Sequence, residues 1–311
     1  MKTLRQAVND YLIMRRGLGF KLYHVERDLR SFVSFLESEK APRITIDLAL
    51  KWATQPKDVR PSYLAQRLSA VRGFARYWSG TDPRTEVPAG RLLPFANRRA
   101  QPYLYTEDEI QRLMAAAKAL PPANGLRRWT YHYLFGLLAV TGLRISELIA
   151  LESRDVDLQE GILTIRGAKF GKSRLVPLHA STRDALREYV QRREAYLERR
   201  SAANNFLVSG RGRPLEVSNV RRTFYRLSQQ TGLRRAGDRN GPRLHDFRHR
   251  VATESLMRWY RAGKDVERLL PVLATYLGHS NVRDTYWYLS ACPELMGYAV
   301  RRLERRWKVR L

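Results

Sequence analysis

The chain has 311 residues, 44% of them hydrophobic, with 10 Phe, 16 Tyr and 6 Trp, which is enough apolar material for cores in two domains. Lys and Arg number 57 against 30 acids, a net charge of +27 that far exceeds what solubility requires and points to a polyanionic partner, nucleic acid before an anionic membrane surface. The single cysteine, Cys292, excludes an internal disulfide framework, no apolar run reaches spanning length, and the opening MKTLRQAVND has neither a signal-type segment nor a lipidation motif. No membrane association is expected, and a reducing bacterial cytoplasm, with the protein on the nucleoid, is the expected setting.

Residues 3–78 read as helices: LRQAVNDYLIMRR, HVERDLRSFVSFLES, a short IDLALKWATQ and SYLAQRLSAVRGFARYWSG. In the second, Val25, Leu29, Phe32, Val33 and Leu36 recur at helical spacing, so residues 1–80 are expected to form a small all-helical domain. Residues 81–102, TDPRTEVPAGRLLPFANRRAQP, carry four prolines and little periodicity, which predicts an interdomain linker. Its charges are mostly basic, and Arg84, Arg91, Arg98 and Arg99 are candidate phosphate contacts.

A second domain is expected over 103–311. Thr106 and Glu109 in YTEDEIQRLM form a capping box, and RRWTYHYLFGLLAVTG predicts a buried helix ending at Gly142. A short helix around RISELIAL precedes GILTIRGAKFGKSRLVPL, whose alternation around a turn predicts a β-hairpin with lysines at its tip. Helical patterns then return through STRDALREYVQRREAYL, NVRRTFYRLSQQTGL, RLHDFRHRVATES, VERLLPVLATYLG and the tail ELMGYAVRRLERRWKVRL. The fold class is therefore mainly α with a small β-hairpin.

Within RLHDFRHRVATES, His245 and His249 are four apart and share a helical face, as the histidines of a zinc-binding H-E-x-x-H do. Asp246 is shorter than the glutamate base that such a site needs. Arg248 beside a histidine near a helix N-terminus suits a phosphate oxygen and a proton instead. On these residues alone zinc, phosphate and a plain helix end all remain open.

Four separated pieces recur in a particular order: TGLRISEL with Arg144 and Glu147, the hairpin with Lys169 and Lys172, LHDFRH with His245 and Arg248, and LGHSNVRDTYWYL with His279 and, nine residues on, Tyr288. Together they resemble the tyrosine recombinase, or phage integrase, family. The resemblance is specific over 103–311 and looser over the first 98 residues, where the family has a helical, SAM-like core-binding domain. It favours the phosphate reading of RLHDFRHRVATES, and leaves Asp246 as a helix-start residue and His249 as a packing one.

The resemblance implies cleavage of one DNA strand by a tyrosine oxygen, giving a 3′-phosphotyrosine and a free 5′-hydroxyl. It implies no metal and no nucleotide cofactor, so side-chain cations would have to neutralise the charge developing on phosphorus. Carried over residue by residue, Arg144 and Arg248 clamp the nonbridging oxygens and Tyr288 is the nucleophile. His245 accepts the phenolic proton, helped to stay neutral by the positive end of its helix. His279 hydrogen-bonds the phosphate, and Glu147 holds Arg144. The family hairpin reads G-K-G-x-K-x-R, whereas this one has Phe170 and Gly171 at its tip; alignment back from Arg174 makes Lys169 the general acid, with Lys172 as backup. Tyr286 lies roughly 200° around a helix from Tyr288, so only one of the two can face the clamp.

The partners implied are double-stranded DNA, wrapped by the two domains, and three further subunits in a homotetramer on two DNA sites, with or without sister recombinases. The C-terminal helix would dock on a neighbour through Leu295, Met296, Tyr298, Ala299, Val300, Leu303 and Trp307, or else pack on its own domain. A mobile-element, transposon-type member is the expected biological role. A type IB topoisomerase is disfavoured by the small N-terminal domain, and an idle DNA-binding regulator by the full set of six reactive residues.

Overall fold

The computed structural model describes residues 2–95, 101–167, 173–198, 202–238, 241–279, 281–290 and 293–308. The chain divides into two units, Met1–Ala100 and Gln101–Leu311.

The first unit contains α1 (Leu4–Gly17), α2 (Tyr23–Ser38), α3 (Ile46–Ala53) and α4 (Pro61–Trp78). Local chemistry sets their starts: Thr3 and Gln6 form a capping box on α1, Thr45 caps α3, and Pro61 occupies the first turn of α4, where its missing N–H costs nothing. Leu29, Phe32, Val33 and Leu36 of α2 meet Trp52 of α3 and Phe74 of α4 in one core, with Val25 at its margin.

Residues 81–95, where the lack of periodicity predicts a linker, are instead tied to this unit. The Glu86 N–H donates to the Ile44 carbonyl at 3.0 Å, and its carboxylate accepts the Ile46 N–H at 2.8 Å. Arg72 donates to the carbonyls of Pro88 and Ala89, each at 2.9 Å, and Val87 and Leu93 pack on the core. Prolines remove backbone donors, so the segment is held by side-chain donors and scattered apolar contacts that leave no periodic trace.

The second unit runs α5 (Glu107–Lys118), α6 (Leu126–Thr141), α7 (Ile145–Ala150), β1 (Val156–Asp157), β2 (Ile162–Ile165), β3 (Arg174–Pro177), α8 (Ala180–Leu197), α9 (Val217–Gln230), α10 (Asp246–Arg261), α11 (Val266–Leu277), α12 (Arg283–Ser290) and α13 (Pro293–Lys308). Thr106 and Glu109 cap α5 reciprocally. Helix α6 is the hub, buried among α5, α8 and α10. It stops at Gly142, whose φ of 62° is left-handed and whose absent Cβ would lie 3.2 Å from Val251 and 3.4 Å from the Arg248 backbone. The strands form an antiparallel sheet in the order β1-β2-β3, with Ile165 opposite Arg174 just before the hairpin tip. The tip itself, including Lys169 and Lys172, lies outside the described residues.

A separate cluster joins α10 to α13 through Ala252, Leu256, Leu270, Leu277, Tyr288 and Leu295. Leu295 is thus in its own unit's core, and Tyr298 accepts a hydrogen bond from Arg261 Nε at 3.0 Å, whereas Met296, Val300 and Trp307 are exposed. Of the apolar stripe expected on this tail, the Ala299 and Leu303 side chains lie outside the described set. No helix among the described residues is long and apolar enough to cross a membrane.

Candidate active site

The chain turns directly from the stop at Gly142 into Arg144, the residue that caps α7. Glu147, three residues on, accepts the Arg144 backbone N–H at 3.1 Å and its Nη1 at 2.7 Å. The other face of the same carboxylate is held by Arg174 at the root of β3, whose Nη1 and Nη2 donate at 3.2 and 2.8 Å. Burial pushes the Glu147 carboxyl up, but the hydrogen bonds and charge of Arg174, then of Arg144, outweigh it and hold it at about 2.

Arg248 enters from the first turn of α10. That turn is braced from below, since the Tyr105 ring stacks on Phe247 at 4.4 Å and its hydroxyl donates to the Arg243 carbonyl at 3.0 Å. Asp246 accepts the Arg243 N–H and Nη2, both at 2.8 Å, as a helix-start residue does. Arg248 is 1% exposed, and burial, then the nearby Arg144, lowers its guanidinium to about 10, so it stays charged at neutral pH.

Three guanidinium groups converge on the C-terminus of α11. Arg174 Nε donates to the Tyr276 carbonyl at 2.8 Å, Arg248 Nη2 to the Leu277 carbonyl, and Arg144 Nη2 to the Gly278 carbonyl at 3.1 Å. Arg248 Nη1 also donates to the Gly142 carbonyl at 3.0 Å. A helix C-terminus leaves such carbonyls without intrahelical donors and carries partial negative charge, so it is a fitting counterweight for three cations set around one carboxylate.

His279 follows Gly278, and its Nδ1 lies 2.8 Å from the hydroxyl of Thr285, which is fully buried on α12. One turn on, Tyr288 is 2% exposed; its ring lies 5.9 Å from that of His279 and 5.3 Å from that of His249, near the Arg248 guanidinium. Tyr286 is 51% exposed, turned away as its helical offset demands. His249 packs edge-on to His245 at 4.8 Å and lies 4.9 Å from the Trp287 ring.

His245 is an exposed residue by surface area, although protein groups crowd around its ring. Desolvation, then the charge of Arg248, lowers it to about 4 against the opposing pull of Asp246. His279 is likewise lowered to about 4, by burial, then Arg248 and Arg144. Both imidazoles are neutral at pH 7. A cavity of about 410 Å³ lined by Arg144, Ser146, Arg221, Tyr225, Arg243 and His245 opens beside His245.

The structure therefore brings Arg144, Glu147, His245, Arg248, His279 and Tyr288 into one cluster. Lys169 and Lys172 lie outside the described residues, but the strand that follows them begins at Arg174, inside the cluster. In the first unit, Arg84 is exposed and paired with Asp82 at 2.8 Å, and Arg91 is exposed; Arg98 and Arg99 lie outside the described residues. Arg174 is the member that sequence reasoning used only to set the hairpin register. Two permanent cations, two neutral imidazoles and a phenol can together bind a tetrahedral oxyanion, accept a proton and supply a nucleophile.

Residues 104–294 match the phage integrase family. A Sinorhizobium fredii protein provisionally named an integrase/recombinase is 54% identical over the whole of both chains. The tyrosine recombinase XerD of Caulobacter vibrioides is 32% identical over 78% of this chain and 75% of its own. Among solved structures, the Tn1549 transposon integrase in complex with transposon right end DNA shares the fold, with a TM-score of 0.69 at 16% identity over 98% of this chain and 99% of that one.

Proposed function

The chain belongs to the phage integrase family of tyrosine recombinases, and we propose that it is a site-specific DNA recombinase that breaks and rejoins strands through a 3′-phosphotyrosine, in the service of a mobile element. In this reading Arg144 and Arg248 bind the two nonbridging oxygens of the scissile phosphate. The Tyr288 oxygen attacks phosphorus as its proton passes to neutral His245. The phosphorus–O5′ bond breaks, and the 5′-oxygen leaves with a proton from Lys169. His279 donates a hydrogen bond to the phosphate, with Thr285 fixing its ring. Rejoining is the same sequence reversed, with a 5′-hydroxyl attacking the phosphotyrosine. All the charge neutralisation is assigned to side chains of the protein.

The observation that carries the proposal is the enclosure of Tyr288, and not Tyr286, beside Arg248, His249 and His279. The mobile-element role is supported by the integrase/recombinase name of the 54% identical relative. Action as a tetramer on paired DNA sites, in the bacterial cytoplasm, belongs to the same proposal; exposed Met296, Val300 and Trp307 on α13 are available to a neighbouring subunit. The test is covalent trapping on a nicked duplex carrying a binding sequence selected from random DNA. Tyr288→Phe is expected to bind that duplex normally and form no adduct, whereas Tyr286→Phe traps it at near the wild-type level. An adduct surviving in Tyr288→Phe would refute the assignment.

A further inference from the structure

We propose that Arg174 is a positioning residue of the catalytic centre, one that does not touch DNA but locks the carboxylate behind Arg144 to the backbone that presents His279. The inference rests on the recombinase reading above and adds to it a residue with no assigned part in the chemistry.

The geometry has two halves. On one side, the Arg174 fork takes both oxygens of Glu147 at 3.2 and 2.8 Å, and both side chains are nearly sealed, at 8% and 6% exposure. The Glu147 oxygen that receives Arg174 Nη1 also receives Arg144 Nη1 at 2.7 Å. The direction of the Arg144 guanidinium therefore depends on a carboxylate that Arg174 holds in one orientation. On the other side, Arg174 Nε donates to the Tyr276 carbonyl at 2.8 Å, and its guanidinium lies against Gly278. A Cβ at Gly278 would sit 2.6 Å from Arg174 Nη1 and 2.8 Å from its Cζ, a contact that real atoms do not tolerate, and the φ of +65° there also calls for glycine. The Gly278 carbonyl in turn accepts from Arg144, and the next residue is His279.

One buried side chain thus sets both the clamp and the histidine at once. Catalytic groups must be held to about 0.5 Å, and a displacement of about 1 Å can lower a rate roughly 100-fold. Lysine cannot substitute fully, because a point charge on a flexible stem cannot satisfy two carboxylate oxygens and a carbonyl in three fixed directions. A brace that merely joined β3 to α11 would behave differently. Its loss would lower stability and leave the chemical step of the folded complex unchanged.

The test uses the full chain with Arg174→Lys, Arg174→Met, Glu147→Gln and the Arg174→Met/Glu147→Gln double variant. Affinity for the selected duplex, thermal midpoint, and the first-order rate of adduct formation at saturating protein are measured across the range from acid to weakly alkaline pH. The expected result is affinity within about threefold of wild type, with the adduct rate down at least about tenfold in Arg174→Met and less in Arg174→Lys. Arg174→Met should also acquire a second acid limb, beyond the one near pH 4 that protonation of His245 gives every variant. Glu147 faces Arg144 from its own helix, Arg174 from β3 and Arg248 from α10; without Arg174 its carboxyl protonates closer to neutrality. That limb should vanish in the double variant. An adduct rate within twofold of wild type in folded Arg174→Met, a rate loss matched by equal loss of affinity, or failure of both Arg174 variants to fold would overturn the inference and leave Arg174 a brace. Absence of any adduct from the wild-type chain would instead sink the recombinase reading, and this inference with it.

Discussion

His245 and His279 carry neutral rings for the same two reasons, burial and the charge of Arg248. The proton acceptor of the proposed mechanism must be neutral before the reaction, and the neighbouring cations favour that state of His245. In the DNA-free protein both rings should titrate near pH 4, not near the ordinary 6.5, as read from histidine ring-proton shifts assigned with His245→Gln and His279→Gln. Inflections near 6.5 for both would contradict the electrostatics described. The sign of the accompanying stability change follows from the depressed folded values: as pH falls below 6.5 the unfolded chain takes up protons first, so this contribution is full above 6.5 and is lost toward about 4. The sequence expectation of a neutral His245 rested on its helix N-terminus, whereas the causes in the structure are desolvation and then the charge of Arg248. Arg174 was not legible as a member of the site, because its partner Glu147 is 27 residues away and the pairing exists only once β3 is folded beside α7.

At the scale of elements, the site is a meeting of helix ends. The stop of α6 at Gly142 delivers Arg144, the start of α10 delivers His245 and Arg248, and the end of α11 offers its carbonyls and then His279. The end of α6 at Gly142, the Thr106 capping box and the β2–β3 hairpin were all legible, because each rests on a local rule of backbone chemistry. The tail was ambiguous, because an apolar stripe reads alike whether it faces its own core or a neighbour's. The structure divides it, with Leu295 in the α10–α13 core and Met296, Val300 and Trp307 outside. Leu295→Ala should therefore lower the unfolding free energy by about 2–5 kcal/mol in a denaturant titration. Deletion of residues 304–311 should spare binding to one DNA site and impair pairing of two, as seen by native gel. A Leu295→Ala variant as stable as wild type, or a short deletion that unfolds the chain, would reverse this division of α13.

For the whole molecule the dominant fact is charge. With +27 distributed over 311 residues, binding to duplex DNA should be driven by counterion release, with a log–log slope against salt of about −0.9 per phosphate contacted. A slope shallower than about −3 would mean too few phosphate contacts for the proposed recombinase. The two-unit organisation was legible from periodicity, but the boundary was not. Residues 81–95 are held by Glu86, Arg72 and isolated apolar contacts, which leave no repeating pattern. The central claim, that this charged scaffold exists to let Tyr288 exchange a phosphodiester, is tested most directly by locating the bond. Wild-type protein is trapped on the nicked selected duplex, digested, and the nucleotide-bearing peptide sequenced by mass spectrometry. The account places the nucleotide on the tyrosine that follows Trp287, joined through the 3′-phosphate; its recovery on Tyr286, on another residue, or through a 5′-phosphate would contradict it.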